Sequence, residues 1–119
     1  MKSMFLVRSE HLTHQGQLFG GDLMAEIDTI GYCLLREKYG EKTLVTRAAE
    51  IEFKSPARMG DVITFEAKVI SVGNTSVQVQ VTGNVGDRHI STAKLIYVNV
   101  GPDGKKQPLR SPVPPTAVA

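Results

Sequence analysis

One helix-length apolar pattern, followed by four strand-length patterns with short connections, most constrains how this chain folds. Asp22 to Lys38 has helical periodicity, and its seventeen residues give a helix of about 25 Å at ~1.5 Å per residue. The later segments alternate apolar and polar residues, which is typical of half-buried strands. Strands with short connections pair antiparallel, because parallel neighbours need long crossovers. The pattern therefore predicts an α+β domain in which one antiparallel sheet curls around one buried helix.

Turn residues separate these segments. Gly20–Gly21 stands just before the helix, and Gly40 follows it as a C-terminal cap. Gly73–Asn74 predicts a tight hairpin, and Gly86–Asp87 marks the turn before the last strand. The strand-like runs are Met4–Val7, Ala49–Lys54, Ile63–Val69, Val77–Thr82 and His89–Val100.

Charge and proline divide the chain into a neutral body and a weakly basic tail. The net charge is +2, but residues 1–100 hold eleven basic and eleven acidic side chains. The excess comes from Lys105, Lys106 and Arg110 against Asp103, and five of the six prolines lie in the same segment. We therefore predict a domain over residues 1–100 and a Pro-rich C-terminal tail over residues 101–119.

Composition excludes several classes of protein. A charged fraction of 22% and a mean hydropathy of −0.10 exclude a disordered or membrane-spanning chain. The single cysteine, Cys33, excludes a disulfide framework and a Cys-rich zinc module. A neutral body disfavours a nucleic-acid partner, which usually meets a basic face. Without an apolar signal-peptide run behind a basic start, a cytoplasmic location is expected.

Asp28 departs from the helical pattern. On a wheel at ~100° per residue it falls at the edge of the apolar arc, beside Met24 and Leu35 and away from the polar stripe. A buried carboxylate without a partner is costly, so such a group often serves a purpose. Two interpretations stay open: a functional carboxylate, or one that is exposed at the helix edge or paired with a neighbour such as Arg47.

Glycines lead into the same helix. In the segment Gly16–Gly21 they allow close approach of the backbone to a ligand, and free amides at a helix start hold anions or a developing oxyanion. No Gly-Lys-Ser/Thr follows, so this is not a nucleotide phosphate loop. A tight turn into the helix is the alternative interpretation.

Other candidate chemistries have less support. His11 and His14 lie on a loop without a third ligand nearby, so no metal site is expected. Cys33 has no adjacent base and is expected to be a small buried thiol rather than a nucleophile. No Gly-x-Ser-x-Gly elbow is present, which leaves a serine triad unsupported.

Three motifs in order resemble those of one enzyme family. Residues 11–21, HLTHQGQLFGG, with Asp28 after them, are similar to the motif of hotdog-fold acyl-CoA thioesterases of the YciA and cytosolic acyl-CoA hydrolase type. Phe53–Asp61 resembles the family's Phe-x-x-Pro-x-x-x-Gly-Asp turn, and Val72–Val77 resembles its Val-Gly-x-Thr-Ser hairpin. The resemblance covers roughly residues 4–100.

This resemblance implies a hotdog domain that hydrolyses acyl-CoA, with coenzyme A present only as part of the substrate and no separate cofactor or metal. Asp28 falls on the family's helix Asp, which acts as general base or nucleophile, and the amides of Gly20 and Gly21 would polarise the thioester carbonyl. Such domains form homodimers, often assembled into tetramers or hexamers, with active sites between subunits. The matched motifs add Thr13 as a catalytic residue, and His14, Gly16, Arg58, Thr75 and Ser76 as substrate-binding residues.

Helix geometry agrees with an active site shared between chains. Asp28 lies about two turns from Gly21, roughly 10 Å along the axis. That separation is too large for both groups to contact one carbonyl within a single chain. A dimer in which Asp28 of one chain faces the Gly20–Gly21 step of the other resolves it, so an obligate oligomer is expected.

Thr13 leaves a second function open. The family usually has Asn at this position, where it helps to hold the carbonyl or the water, and threonine has a shorter reach. The alternative is a non-catalytic acyl-CoA binding or sensing domain on the same fold. A hydratase is disfavoured, because it would need an Asp–His pair that the sequence does not place together.

Overall fold

The computed structural model describes residues 1–40 and 43–109, so residues 110–119 of the predicted tail lie outside the described part. A short 3₁₀ turn, Ser9–His11, follows the first strand. The strands and the helix, in chain order, are β1 (Lys2–Leu6), α1 (Gly20–Tyr39), β2 (Leu44–Phe53), β3 (Val62–Val72), β4 (Ser76–Val85) and β5 (Arg88–Asn99).

The strands form one five-stranded antiparallel sheet in the order β1-β3-β4-β5-β2. Among the described residues β2 pairs with β5 alone, so it lies at one edge of the sheet although it precedes β3 in the chain. The predicted Gly86–Asp87 turn is present, since Val85 and Arg88 are paired across it. With α1 packed on this sheet, the predicted α+β architecture is confirmed.

The core lies between one face of α1 and the sheet. The helix buries Leu23, Ile27, Ile30 and Leu35, and each such side chain contributes about 1.5–3 kcal/mol when it leaves water. The sheet supplies Ile63, Phe65, Ala67, Val77, Val79, Val81, Ala93, Leu95 and Tyr97. α1 is not long and apolar enough to cross a membrane, and it is the only α-helix in the described residues.

Parts of the α1 surface are open in the single chain. The sequence predicts a helix covered on most of its surface, yet Met24, at the margin of the buried face, is 47% exposed. Cys33 lies on the opposite side of the helix from Met24, at ~100° per residue. It is also exposed, so the expectation of a buried thiol is wrong for the isolated chain.

Both ends of α1 are set by backbone geometry. Gly40 adopts φ +69°, the left-handed conformation of a C-terminal cap, and its N–H donates to the carbonyl of Arg36. At the other end the helix begins at Gly20, two residues earlier than predicted, with Phe19 as the N-cap. No side chain caps this end, so the first amides of the helix stay available to another acceptor.

The beginning of the predicted tail folds back on the sheet. The backbone N–H of Gln107 donates to the carbonyl of Asn99 at 2.8 Å, and that of Leu109 donates to the carbonyl of Asn74 at 2.9 Å. The buried side chain of Asn99 also donates to the carbonyl of Pro108. Residues 101–109 thus contact the domain, and a domain boundary at residue 100 stays a prediction.

Candidate active site

The carboxylate of Asp28 is held by two hydroxyl groups from the sheet. Thr46 of β2 donates its Oγ1–H to Asp28 Oδ1 at 2.6 Å. The Tyr97 hydroxyl of β5 lies 3.0 Å from the same oxygen and 2.9 Å from the backbone oxygen of Asp28. Neither an ion pair with Arg47 nor a free position at the helix edge describes this side chain. Neither Thr46 nor Tyr97 is among the site residues predicted from the sequence.

Gly31 makes room for the Tyr97 contact. A Cβ at residue 31 would lie 2.3 Å from the Tyr97 hydroxyl oxygen, which is closer than non-bonded atoms approach. The tyrosine side chain is fully buried. Burial first, and then the charge of Asp28, raises the pKa of Tyr97 above its usual value. The hydroxyl therefore keeps its proton and acts as a donor at neutral pH.

The side chain of Asp28 forms part of the wall of a small, mainly apolar pocket. The pocket has a volume of about 240 Å³. Its walls are Met24, Ala25, Asp28, Thr46, Ala49, Ile51 and Leu95. Apart from the Asp28 carboxylate and the Thr46 hydroxyl, these side chains are apolar. A carboxylate in such surroundings has few competing polar neighbours and is suited to act on a bound apolar group.

A second pocket lies at the start of α1. It has a volume of about 480 Å³ and includes Gly20 and Leu23 of the helix. The remaining walls are Gln17, Leu18, Phe53, Lys54, Ser55, Pro56, Ala57 and Ile90. The two pockets share no lining residue. Within one chain, therefore, the start of α1 and the Asp28 side chain line different cavities.

The Thr13 loop is a tight hairpin beside the second pocket. The Thr13 N–H donates to the Gln17 carbonyl at 2.8 Å, and the Leu18 N–H donates to the Ala57 carbonyl at 2.7 Å. Thr13 Oγ1 accepts from the Gln15 N–H at 3.2 Å, which leaves its own hydroxyl hydrogen free to be donated. His14 and Gly16 are exposed at the tip, where Gly16 has φ +76°.

Arg58 lies in a braced loop that forms one wall of the second pocket. Its side chain is exposed, while its backbone N–H donates to Asp61 Oδ2 at 2.9 Å. The Arg88 guanidinium donates to the same carboxylate oxygen and to the carbonyl of Pro56. The Arg58 N–H, followed by the Arg88 guanidinium, holds the pKa of Asp61 below its usual value. Arg88 thereby fixes the Pro56 turn.

Thr75 and Ser76 lie away from the second pocket. The Thr75 carbonyl accepts from the Asn99 N–H at 2.9 Å, and Ser76 is paired with Val98. These positions are at the end of the sheet remote from the Pro56 turn, and they line neither described pocket. Their substrate-binding role stays a prediction.

No group of three His, Cys, Asp or Glu side chains within residues 1–40 and 43–109 is arranged to hold a metal ion. His11 instead accepts the Arg8 N–H at Nδ1 and contacts the ring of Phe5. The groups that the described residues bring to the site are a carboxylate, hydroxyl groups and backbone amides.

Known proteins match most of the chain. Residues 15–91 match the family model described as the thioesterase superfamily. The acyl-CoA thioester hydrolase YciA of Salmonella typhimurium is 33% identical over 103 residues, which cover 79% of this chain and 77% of that protein.

Solved structures match equally well. A hexameric thioesterase from Yersinia pestis superposes with a TM-score of 0.82 at 27% identity, over 92% of this chain and 93% of that one. A hexameric hotdog fold thioesterase of Campylobacter jejuni superposes with a TM-score of 0.77 at 31% identity, over 90% of this chain and 87% of that one. The chain therefore has the hotdog fold and belongs to the thioesterase superfamily.

Proposed function

We propose that this protein is an acyl-CoA thioesterase whose active site combines Asp28 of one protomer with the helix start of its partner. The observation that carries the proposal is the Asp28 carboxylate, fixed by Thr46 and Tyr97 and opening into an apolar pocket. The similarity to acyl-CoA thioester hydrolases over most of the chain supports the choice of substrate class.

The chemistry needs a base and a donor for the oxyanion. Asp28 takes a proton from water as the water oxygen bonds to the thioester carbonyl carbon. The amides of Gly20 and Gly21 donate to the oxygen that becomes negative. When the carbonyl re-forms, the carbon–sulfur bond breaks, and the thiolate of coenzyme A leaves and takes up the proton. The products are the free acid and the coenzyme A thiol.

A nucleophilic role for Asp28 uses the same groups. A carboxylate oxygen then attacks the carbonyl carbon, the thiolate leaves, and water hydrolyses the resulting anhydride to free acid and aspartate. Within the described residues no hydrogen bond reaches Asp28 Oδ2, so this oxygen is available in either route.

The separate pockets support a site built from two chains. If two α1 helices lie antiparallel about a two-fold axis, and Asp28 of one faces Gly21 of the other, the axis passes between Met24 and Ala25. Both residues are exposed in the single chain. Exposed apolar side chains flank this line at Phe19 (52%) and Phe53 (54%). Burying them between two copies gives the pairing a hydrophobic driving force.

The hexameric state of two matched thioesterases supports self-association of this chain. The pair of chains is the smallest assembly that completes the proposed site, and tetramers or hexamers would be built from it. In the described sheet β2 is an edge strand, so the β2 strands of two copies can pair with each other.

Hydrolysis of acyl-CoAs by purified protein, measured as released thiol over short to long acyl chains, tests the proposal. We expect turnover in the wild type and a loss of about a hundredfold or more in Asp28→Asn, which keeps the shape of the side chain. Binding of acyl-CoA without thiol release would instead identify a binding or sensing domain. Full activity of Asp28→Asn would refute the assigned role of the carboxylate.

Complementation tests the sharing of the site. Gly20→Pro removes one helix-start amide at a position where proline fits a helix, and Asp28→Asn removes the carboxylate. Refolding an equal mixture produces dimers of which half are mixed, each with one intact site. We expect about a quarter of wild-type activity from two nearly inactive parents. No recovery in verified mixed dimers would place both groups in one chain.

A further inference from the structure

We propose that Tyr97 is a positioning residue for Asp28, and that Gly31 exists to let its hydroxyl reach the carboxylate. The inference rests on the proposed function of Asp28. It adds that the sheet, through a buried tyrosine, sets the orientation of the reactive group.

The Asp28 carboxylate is contacted from two neighbouring strands. Thr46 and Tyr97 are register partners on β2 and β5, and both contact Oδ1 of Asp28. Donors from two strands on the same oxygen restrict rotation of the carboxylate about its terminal torsion. Tyr97 also lies within hydrogen-bond distance of the Asp28 backbone oxygen, so it locates the helix residue itself. Oδ2 is thereby directed away from the two donors.

Tyr97 acts from behind the pocket. Neither Tyr97 nor Gly31 lines the Asp28 pocket, whereas Thr46 does. The tyrosine therefore influences a bound acyl group only through Asp28, which distinguishes it from a residue that touches substrate. Glycine within a helix costs about 0.5–1 kcal/mol relative to alanine. Its presence at residue 31, where a Cβ would overlap the hydroxyl, fits a requirement for this contact.

Few charged groups lie near enough to compete with Thr46 and Tyr97 for the Asp28 carboxylate. From β2 the carboxylate meets the uncharged Thr46, and from β5 it meets Tyr97. The other pocket walls are uncharged, and Cys33 on α1 is the further titratable group that acts on Tyr97.

The test is the effect of Tyr97→Phe on kcat and on KM for thioester hydrolysis. We expect kcat to fall about tenfold with little change in KM, because Tyr97 does not line the pocket. Gly31→Ala, which displaces the hydroxyl without removing it, should reproduce the fall in kcat. Tyr39→Phe makes the same chemical change at another buried tyrosine, near the end of α1, and should leave kcat and KM unaltered.

The two proposals fail in distinguishable ways. An unchanged kcat in folded Tyr97→Phe, beside an inactive Asp28→Asn, would overturn the positioning role alone. A lower melting temperature with unchanged kcat and KM would show a purely structural tyrosine, and would also overturn it. If Tyr97→Phe does not fold, the kcat and KM of Gly31→Ala decide the question. Wild-type activity in Asp28→Asn would remove the basis of both proposals.

Discussion

The hydroxyl of Thr46 lies 2.6 Å from Oδ1 of Asp28 and joins edge strand β2 to the central helix. Because Thr46 also lines the pocket, its loss changes both the carboxylate and the cavity wall. Thr46→Val keeps the size of the side chain and removes the donor. We expect its kcat for thioester hydrolysis to fall by about tenfold to a hundredfold, as for loss of a hydrogen bond to a charged group.

Thr46→Ser supplies the matched control, since it keeps the hydroxyl and loses only a methyl group. Steady-state hydrolysis should show serine close to the wild type and valine far below it. Equal loss in the two variants would mean that packing of the methyl group, rather than donation to Asp28, accounts for the effect.

The amide of Gly20 can be removed without removing the helix. Phe19 has φ −67° and ψ +130°, a conformation that a following proline accepts, and a Cβ at residue 20 would sit 3.7 Å from the Phe53 ring. Gly20→Pro deletes one N–H, while Gly20→Ala keeps it. If this amide stabilises the oxyanion, proline lowers kcat by about a hundredfold or more and alanine has a small effect. Similar kinetics in the two variants would assign no catalytic role to this amide.

The general architecture was predictable because side-chain alternation records which face of a strand is buried. The alternation of apolar and polar residues predicts that β2 begins at Ala49, whereas the strand begins at Leu44. A register irregularity between Thr46 and Ala48 interrupts the two-residue period, so the pattern does not reveal the first half of the strand. The predicted helix begins two residues too late because glycine is a poor helix former.

Of the groups that build the site, Asp28 is predictable from the sequence and Tyr97 is not. Asp28 stood out because its own helix gives a local pattern to compare it with. Tyr97 is 69 positions away in the chain and reaches Asp28 through strand register, which no short-range pattern reports. The one local signal was Gly31, a glycine on the apolar face of the helix one turn after Asp28. Its meaning depends on the residue that fills the space.

The Asp61 carboxylate links pH to the stability of the Pro56 turn. Its pKa is lowered in the folded protein by the Arg58 N–H and the Arg88 guanidinium, so the charged form stabilises the fold. This contribution is present above the pKa of the unfolded chain and disappears as pH falls through the lower folded value. Asp61→Asn should cost about 1 kcal/mol at pH 7, and the difference from wild type should shrink below about pH 4.

Urea denaturation at fixed protein concentration, at pH 7, 5 and 3, measures this difference. Glu10→Gln is the control, because Glu10 pairs with Arg8 at an exposed site, and such pairs contribute little. A deficit of Asp61→Asn that stays constant down to pH 3 would rule out the carboxylate charge as its source.

The two-fold axis proposed between Met24 and Ala25 predicts which residues of two chains are neighbours. In a Cys33→Ser background, which removes the exposed native thiol, Ala25→Cys should be joined to its copy by a short bismaleimide. Glu37→Cys, equally exposed but three turns further along α1, should not react across chains, since antiparallel helices place its copies roughly 40 Å apart. Denaturing electrophoresis separates linked dimers from single chains. Efficient linking through residue 37 and none through residue 25 would exclude the antiparallel arrangement, and with it the approach of Asp28 to the partner's Gly21.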